Sequence, residues 1–538
     1  MAECIRHTEL PHTSRLFADL VCHFDCVQGF YHHAPFSENS FFAAAESVKI
    51  DSSHRARLVE VLRAENSQSG EAARAHLERL ERPETLVVAA GQQVGLYTGP
   101  IFTIYKALSA ARLASELTEK GLPAVPVFWL ATEDHDLAEI DHVWVFDAQN
   151  RPIRLQASAS PADGAGRPVG PLAVGDASRA SLQRALADLP FGSEITRLAQ
   201  EAYPDGVTFG GGFKSLLRRL LAPHGVLLLD PLSPGVRRLA APLLRQVIEQ
   251  GPELNVALRA RGRQLEQSGY HAQVHVEEST SLFFLIENGR RISLRRSGQS
   301  GREYTANGRT HQQARLLARL EDEAEAFSPN ALLRPVVQDF LLPTVAYLGG
   351  PAELAYLAQS EVLYRRLLGR MPVALPRAGF TILDARSQKL MSRYGLRLTD
   401  ALSGAEALEQ RIAEVALPER VRAATRSSQE QIETALRSLE EELLAFDPTL
   451  AAAVNLSGRK IRYQLSKIQA KGARENLRRV ERCRADAAYL SGLILPEKTL
   501  QERFYSVLPF LARHGLGLLD RLYGSIRFDC PDHQVLVA

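Results

Sequence analysis

The feature that most constrains the fold is the stretch 85–142, which has the pattern strand, helix, strand. Thr85–Ala90 is a short apolar run rich in valine, typical of a strand buried on both faces of a parallel sheet. Pro100 then opens an amphipathic stretch to about Lys120, and proline favours the first position of a helix because it leaves no N–H unsatisfied. Val125–Leu130 reads as the second buried strand. The stretch therefore predicts a β-α-β unit, the building block of an α/β fold.

Two loops of unusual composition follow these strands. The first contains Gly91, Gly95 and Gly99, and the second begins with the acidic run Thr132–Asp136. Open α/β sheets bind their ligands at the carboxyl ends of the strands. We therefore expect both loops to line one site.

Composition limits the class of protein. The chain has 538 residues, 45% hydrophobic and 23% charged, which is enough for several globular domains. With 64 Lys+Arg against 62 Asp+Glu, no overall charge favours nucleic acid, and no run approaches the roughly 20 apolar residues of a membrane span. The first residues lack a secretory pattern, and five scattered cysteines fit a reducing compartment. We expect a cytoplasmic protein with no membrane or nucleic-acid partner.

Changes of pattern along the chain predict eight segments. His224–Asp230 reads as a central strand, and Ala272–Asn307 alternates like antiparallel strands with a tight turn at Glu287–Gly289. The segments are an N-terminal helical part (1–80), the first part of the core (81–148), a first insertion (149–205), more core (206–263), a β-containing second insertion (264–326), the second part of the core (327–400), a helical arm (401–495) and a C-terminal segment that returns to the core (496–538).

The arm shows heptad spacing. Apolar residues step by four, three and four, a turn interrupts them at Phe446–Thr449, and the spacing then resumes. The residues of this seam are Ile432, Leu436, Leu439, Leu443, Ile461, Leu465, Ile468, Leu477 and Val480. The pattern predicts an antiparallel helical hairpin. Internal packing alone would explain it, but we favour dimerisation, because an isolated two-helix arm buries little apolar surface.

A cysteine- and histidine-rich patch lies near the start of the chain. Cys22 and Cys26, with His23, His32 and His33, resemble a zinc site only loosely, because their spacing differs from that of the usual zinc motifs. We expect these residues to be packed or on the surface, and we predict no metal ligands.

The glycine loop between Gly91 and Pro100 matches neither common phosphate-binding fingerprint. It does precede a helix N-terminus, whose free N–H groups favour an anion. Its candidate substrate-binding residues are Gln92, Gln93, Gly95, Thr98 and Gly99. The alternative is a tight turn without a ligand.

The acidic run supplies the candidate catalytic groups. Glu133, Asp134, His135 and Asp136 could bind Mg²⁺ together with ATP phosphates, hold a substrate ammonium, or act as general base. Crowded carboxylates also push their pKa values apart, as in many catalytic sites. An exposed acidic loop is the alternative.

A third polar group begins at residue 334. Gly349-Gly350-Pro351 repeats the glycine–proline junction of the first loop, so it places a second helix N-terminus at the same edge. The candidate residues here are Arg334, Gln338, Tyr347, Gly350 and Glu353. A second tight turn with a surface arginine would explain them equally well. Motif logic alone therefore indicates an α/β enzyme that uses an anion or a nucleotide.

Three of these motifs carry a resemblance to a known family. They are GQQVGLYTGPIFTIYKAL (91–108), VPVFWLATEDHDLAEIDHVWV (125–145) and RPVVQDFLLPTVAYLGGPAELAYLAQ (334–359). In sequence, order and spacing the chain resembles the bacillithiol-biosynthesis cysteine ligases, the cysteine-adding enzymes, over essentially its whole length.

The resemblance implies an α/β, Rossmann-type core like that of class I aminoacyl-tRNA synthetases and pantothenate synthetases. It also implies two connective-peptide insertions and an antiparallel coiled-coil arm that forms a homodimer. The implied reaction joins L-cysteine to glucosaminyl-malate and completes bacillithiol, with ATP or ADP as nucleotide and with Mg²⁺ as a candidate metal.

The synthetase signatures transfer only in part. Gly91–Pro100 occupies the place of the first nucleotide signature, but Gln92 and Gln93 stand where its two histidines would be. Lys389 is a weak candidate for the second, lysine signature. The family's association with ADP at a separate site suggests Arg503 and Tyr505 as nucleotide-binding residues.

The resulting hypothesis activates the cysteine carboxylate over the loop Gly95–Gly99. The glucosamine amine then attacks, with Asp134 or His135 as general base, while Arg334 holds a carboxylate. No cysteine of the protein acts as nucleophile. Two alternatives stay open: a non-catalytic, dimeric nucleotide-binding scaffold for bacillithiol assembly, and a ligase that takes cysteine from a charged tRNA, which the near-neutral charge disfavours.

Overall fold

A computed structural model describes residues 4–159, 164–175, 178–298, 301–479 and 481–538. The chain forms two compact units. The larger comprises Met1–Ala148, Pro152–Thr381 and Glu502–Leu536, and the smaller comprises Gln149–Arg151, Ile382–Gln501 and Val537–Ala538. Val480 of the predicted arm and parts of both predicted insertions (160–163, 176–177 and 299–300) lie outside the described residues.

A five-stranded parallel sheet is the centre of the larger unit, which confirms the predicted Rossmann-type α/β core. Its order is β5-β4-β1-β2-β3, and every neighbouring pair is parallel. The strands are β1 (Leu86–Gln93), β2 (Ala124–Ala131), β3 (Leu227–Leu229), β4 (Thr344–Gly349) and β5 (Val373–Pro376). The short β3 is an edge strand, so the prediction of a central strand there was wrong.

Two crossover helices connect the central strands. Helix α1 (Phe102–Glu119) links β1 to β2, and helix α2 (Pro351–Leu367) links β4 to β5. Proline therefore does begin α2, as predicted, but α1 begins two residues after Pro100. The Ile101 N–H donates to the Tyr505 carbonyl (2.7 Å), which holds the chain outside the helix at that point.

The strand order creates a topological switch point. β1 lies between β2 and β4 in the sheet. From β1 the chain crosses to β2 on one side, whereas from β4 it crosses to β5 on the opposite side. Such a reversal opens a crevice at the carboxyl ends of the two strands, where α/β proteins bind ligands. Gln92 and Gln93 belong to the end of β1, which is longer than predicted, because they pair with Leu130 and Ala131 of β2.

Apart from Phe380–Leu383, the remaining strands form antiparallel pairs. A second five-stranded sheet has its hairpin turn at Asn288 and Gly289, both with positive φ, which confirms the predicted tight turn. In spatial order its strands are Arg309–Gln312, Glu303–Ala306, Arg290–Ser297, Thr280–Glu287 and Phe327–Pro329. His142–Phe146 pairs with Pro152–Gln156, and Cys4–Ile5 pairs with His533–Val537. A further strand is Phe380–Leu383.

Helices cover the sheets of the larger unit. Besides α1 and α2 they are Arg15–Cys22, Glu38–Ser47, Ser52–Glu65, Glu71–Leu80, Leu137–Ile140, Arg179–Leu186, Gly192–Ala202, Phe209–Leu220, Pro234–Glu249, Gly251–Gln267, Gln313–Asp322, Arg334–Leu341, Leu508–His514 and Leu518–Ser525. The short helix Gln501–Phe504 begins at the boundary of the two units.

The smaller unit is helical and contains a coiled-coil hairpin. Its helices are Ala385–Tyr394, Leu398–Ala401, Ala405–Val415, Glu419–Phe446, Ala451–Arg479 and Glu481–Ile494. The two longest run antiparallel: Arg462 donates two hydrogen bonds to Glu433 (2.6 and 2.8 Å), and Asn455 donates to Glu440 (2.8 Å). These pairs confirm the predicted antiparallel hairpin.

The predicted heptad seam is only partly correct. Ile432, Leu436, Leu443 and Leu465 are half-buried. Leu439, Ile461 and Ile468 are instead exposed to 51%, 42% and 67%. Two helices bury one narrow stripe against each other, so a wider apolar face cannot be covered within one hairpin.

The cysteine- and histidine-rich patch is not arranged as a metal site. Cys22, His23 and Cys26 are exposed, and His32 pairs instead with Glu361 (3.0 Å). Within the described part of the chain, no three His, Cys, Asp or Glu side chains are grouped to hold a metal ion. In the same residues, no helix combines the length and apolar character that crossing a membrane requires.

Candidate active site at the sheet switch point

A cavity of about 490 Å³ lies at the carboxyl edge of the central sheet. It is lined by residues at or after the ends of four strands: Gln92 of β1, Glu133 after β2, Gly350 after β4 and Arg377 after β5. Its volume falls in the range of small-molecule sites. The cavity therefore lies where the strand order predicts a ligand.

The structure brings nine of the predicted site residues to this cavity. They are Gln92, Gln93, Glu133, Asp134, His135, Arg334, Gly350, Glu353 and Arg503. Seven others do not line it: Gly95, Thr98, Gly99, Asp136, Gln338, Tyr347 and Tyr505.

The glycine loop turns away from the cavity. Leu96–Thr98 forms a buried single turn, and the Ser506 hydroxyl donates to the Tyr97 carbonyl (3.2 Å). Residues 505 and 506 thus cover the N-terminal end of α1, with the Tyr505 carbonyl accepting the Ile101 N–H. The predicted anion site over Gly95, Thr98 and Gly99 is therefore not open to a ligand in this arrangement.

Gln338 and Tyr505 are core residues. Gln338 is fully buried, and its amide donates to Asp339 (3.3 Å). The Tyr505 ring is also fully buried, packing edge-on against Phe146 and near Phe510. Neither side chain faces a ligand, and the Tyr505 ring offers no free face for a nucleotide base.

Lys106 is a site residue that the sequence reasoning missed. It is 2% exposed on α1, donates to the Gly91 carbonyl (3.0 Å) and to Gln92 Oε1 (2.7 Å), and forms an ion pair with Glu353. Burial lowers the pKa of Lys106 to about 8, although Glu353 opposes the shift. The lysine therefore ties β1 to α2 across the switch point. The sequence did contain a sign of this role, because Lys106 is the only charged residue between Ile101 and Ala111.

Glu353 organises the other side of the crevice. One carboxylate oxygen accepts the Gly350 N–H (2.8 Å) and the other accepts the Tyr347 hydroxyl (3.0 Å). Burial alone would raise the pKa of Glu353, but the Lys106 charge and the Gly350 N–H outweigh it and lower the pKa. The Gly350 N–H is thus already used, so the N-terminus of α2 offers less to an anion than the sequence suggested.

Arginines give one end of the cavity a positive charge. Arg334 donates to the Tyr356 hydroxyl (3.0 Å); burial opposes its charge, but Tyr356 and Tyr347 outweigh that effect and raise the pKa of Arg334. Arg377 makes two hydrogen bonds to the buried Glu502 (2.9 and 2.6 Å). Although burial opposes it, this pairing lowers the pKa of Glu502 to about 2.

Arg503 adds a further cation beside this pair. Burial, followed by the neighbouring Arg377 charge, lowers the pKa of Arg503, although Glu502 and Glu353 act in the opposite direction. An anionic ligand beside Arg503 would stabilise its charged form further.

Glu133 is a buried carboxylate at the end of β2. It is 3% exposed, accepts a hydrogen bond from Arg237 (2.8 Å) and accepts another from the Ser328 hydroxyl (2.8 Å). These bonds hold the carboxylate in place at the end of β2.

Asp134 and His135 are poorly placed as bases. Burial would raise the pKa of Asp134, but the hydrogen bond from the His135 backbone N–H (2.7 Å) and the Arg291 charge outweigh it and lower the pKa. Arg291 Nη1 lies 3.2 Å from His135 Nδ1, and because a guanidinium only donates, Nδ1 accepts. A neutral His135 then carries its proton on Nε2.

Asp134 and Glu139 are the rim carboxylates, which line the cavity after β2, and Glu139 is the stronger base of the two. Burial and the neighbouring Asp136 and Asp134 charges raise its pKa, although Gln93 acts in the opposite direction. Asp136 itself caps the short helix Leu137–Ile140 through the Glu139 N–H (3.3 Å). Sequence reasoning stopped at Asp136 and missed Glu139, which continues the same acidic run.

The charges are partly sorted along the cavity. Arg334, Arg377 and Arg503 lie towards β4 and β5 together with Glu353, whereas Asp134 and Glu139 follow β2, with Arg291 beside Asp134. Arg377 and Asp134 follow strands that are three places apart in the sheet, or about 14 Å at the usual strand spacing. The arrangement suits an elongated ligand with carboxylates at one end and an amine at the other.

Comparison with known proteins identifies the family. The model of the family described as "Bacillithiol biosynthesis BshC, N-terminal Rossmann-like domain" matches residues 2–378. A second, described as "Bacillithiol biosynthesis BshC, C-terminal coiled-coil domain", matches residues 380–538. The chain belongs to the BshC family.

Curated BshC relatives match over almost the full chain. The protein named "Putative cysteine ligase BshC" of Solibacter usitatus is 49% identical over 534 residues, 99% of each chain. Those of Koribacter versatilis and Salinibacter ruber are 38% identical over 536 residues and 34% identical over 528 residues. The Koribacter match covers 99% of each chain, and the Salinibacter match covers 97% of this chain and 96% of the relative. The name borne by these relatives points to cysteine ligation, and the resemblance stated from the motifs is confirmed.

Proposed function

We propose that this BshC-family protein catalyses the last step of bacillithiol biosynthesis, the ligation of L-cysteine to glucosaminyl-malate. The observation that carries the proposal is the charge-sorted cavity at the switch point. Glucosaminyl-malate has two carboxylates on its malate end and one amine on its sugar. Its two ends therefore match the two ends of the cavity.

The malate end is assigned to the arginines. Arg334 and Arg503 line the cavity where a dicarboxylate would lie, and a guanidinium binds a carboxylate through two parallel hydrogen bonds. Arg377 is already engaged by Glu502, so it contributes charge rather than a free fork. Lys106 keeps Gln92 and Glu353 in place between the two ends.

The amine end is assigned to the rim carboxylates. Glu139, whose pKa is raised by burial and by Asp136, accepts a proton from the sugar amine as its nitrogen attacks the activated cysteine carboxyl carbon. The new amide C–N bond forms as the bond to the phosphate-bearing leaving group breaks. Asp134 and the Nε2–H of His135 stabilise the amine and the developing oxyanion.

Carboxylate activation is assigned to ATP. Asp134 offers an oxygen ligand to Mg²⁺ carried by the nucleotide, which leaves Glu139 for the proton transfer. The described side chains alone do not group as a metal site, so the metal would arrive with the phosphates. Arg503, predicted from the resemblance as a nucleotide contact, is assigned here to the malate end; Lys389 is exposed on a helix of the smaller unit and adds nothing at this cavity.

The larger architecture enters the proposal as well. The sheet order 3-2-1-4-5 along the chain supports a relationship to class I synthetases, with segments 149–205 and 264–326 as connective peptides. The exposed Leu439, Ile461 and Ile468 support a homodimer formed through the arm. Five thiols without a disulfide fit a cytoplasmic location.

The test is reconstitution with purified protein. The protein is incubated with glucosaminyl-malate, L-cysteine and Mg-ATP; the thiol product is followed by mass spectrometry and the nucleotide by chromatography. Product with AMP supports an adenylate route, and product with ADP supports an acyl-phosphate route. The Arg334→Met variant should raise the KM for glucosaminyl-malate about 10-fold or more and leave the KM for cysteine nearly unchanged.

The missing signature histidines favour one competing function, a non-catalytic nucleotide-binding scaffold. A scaffold would bind nucleotide in this experiment without forming product. That result, obtained with folded protein and verified substrates, would replace the ligase assignment.

A further inference from the structure

Two cysteine thiols face each other away from the cavity. The Sγ atoms of Cys4 and Cys530 are 3.6 Å apart, although 526 positions separate the residues in sequence. Both are reduced, Cys4 is exposed and Cys530 is half-buried. Such proximity between distant cysteines, in a chain that has only five, needs a structural cause.

Backbone pairing holds the two residues together. The strand Cys4–Ile5 is antiparallel to His533–Val537, with Cys4 opposite Gln534 and Ile5 opposite His533. The His7 ring lies 2.7 Å from the Pro531 carbonyl, next to Cys530. Contacts on both sides of the thiol pair therefore set its geometry, and the pair does not depend on two flexible side chains meeting by chance.

The separation is close to that of a disulfide. Sulfur atoms in a disulfide lie about 2.05 Å apart, so closure requires a movement of about 1.5 Å. Rotation of the two side chains can supply it while the paired strands stay in register.

We propose that Cys4 and Cys530 form a redox modification site that reacts with low-molecular-weight disulfides. In the first step a thiolate attacks the disulfide RSSR, forms a mixed disulfide and expels one RS⁻. The second protein thiolate then attacks the mixed disulfide, forms Cys4–Cys530 and expels the second RS⁻. Two protein thiols are oxidised, RSSR is reduced to two RSH, and the two thiol protons pass to the leaving groups.

Both thiols can be reached from solvent, because Cys4 is exposed and Cys530 is half-buried. Either thiol can therefore begin the exchange, and the other then resolves the mixed disulfide. This site is independent of the ligase reaction, although a protein that makes a thiol would meet the matching disulfide in the same cell.

The test uses the full-length, fully reduced protein with glutathione disulfide as the probe. After a time course the thiols are alkylated, and the peptides are mapped by mass spectrometry. The proposal predicts a Cys4–Cys530 cross-linked peptide, loss of about two of the five thiols and release of about two glutathione molecules per chain. The midpoint of thermal unfolding should rise, because the cross-link restricts the unfolded chain.

Three variants separate this site from the other cysteines. Cys4→Ser and Cys530→Ser should each stop at a mixed disulfide on the remaining thiol, and both should lack the cross-link. Cys26→Ser, at an exposed cysteine, is the matched control and should form the cross-link as the unaltered protein does. Cross-links that involve Cys22 instead, or only mixed disulfides in the unaltered protein, would overturn the proposal.

Discussion

Single side chains at the switch point divide into groups that hold the site and groups that are free to react. The charges of Lys106, Glu133 and Glu353 are engaged in ion pairs or hydrogen bonds within the protein. Glu139 and Arg334 can act on a ligand. Glu139 is a carboxylate of raised pKa, and Arg334 is a guanidinium that keeps its charge. Residue type alone could not separate these groups, because a buried ion pair and a reactive carboxylate look alike in sequence.

Glu139 is the residue on which the proposed proton transfer depends. Glu139→Gln should lower kcat about 100-fold or more with little change in KM, because the amide cannot accept the proton. Steady-state kinetics of product formation checks this, with Glu119→Gln, an exposed residue at the end of α1, as control. An unchanged kcat in Glu139→Gln would remove Glu139 from the mechanism and return the role to Asp134 or His135.

His533 makes the larger unit sensitive to mild acid. Burial lowers its pKa from 6.5 to about 4, and its Nε2 lies within hydrogen-bond distance of the Thr381 hydroxyl (2.8 Å). Between these values the unfolded state binds a proton that the folded state does not, so the free energy of unfolding falls as pH is lowered. The loss from His533 between pH 7 and pH 5 should be about 2 kcal/mol.

Denaturant unfolding followed by tryptophan fluorescence measures this loss, because Trp129 and Trp144 both lie in the larger unit. His533→Gln should reduce the difference between pH 7 and pH 5 by about 2 kcal/mol. His7, His54 and His76, whose pKa values burial also lowers, should still contribute in the variant. Identical differences in the two proteins would show that His533 does not titrate as described.

At the scale of elements, the sequence predicted most strands of the sheet but not the edge position of β3. Buried valine-rich runs and the glycine–proline junction at Gly350–Pro351 mark β1, β2 and α2 well, since burial on both faces leaves a continuous apolar signal. The path of the glycine loop was not predictable. Its cover comes from residues 505 and 506, about 400 residues away, and no local pattern records such a contact.

The arm carries an apolar face that its own hairpin does not cover. A triple variant with serine in place of Leu439, Ile461 and Ile468 should convert the proposed homodimer into a monomer. Serine removes the exposed apolar surface that the partner would cover. Sedimentation velocity of the triple variant checks the prediction. Val256→Ser, at an equally exposed apolar residue of the larger unit, is the control.

Helical content should stay constant in both arm variants. If the unaltered protein sediments as a monomer at micromolar concentration, or if the triple variant remains a dimer, the arm is not the interface.

At the scale of the molecule, the candidate site and the helical arm belong to different units. Every residue that lines the cavity belongs to the larger unit, and the coiled-coil hairpin belongs to the smaller one. Glucosaminyl-malate should therefore raise the unfolding midpoint reported by the two tryptophans. Saturation at 100 times Kd corresponds to about 2.7 kcal/mol.

Fluorescence-detected thermal unfolding with and without glucosaminyl-malate measures this effect. Arg334→Met should lose most of the shift while keeping its unliganded midpoint near that of the unaltered protein. An equal shift in Arg334→Met would mean that the ligand binds elsewhere.

The central claim is that the cavity sorts the two ends of glucosaminyl-malate by charge. A crystal structure of the complex tests it most directly. The account predicts the malate carboxylates at Arg334 and Arg503 and the sugar amine facing Glu139 and Asp134. Density for the ligand outside this cavity, or in the reverse orientation with its amine at the arginines, would contradict the claim.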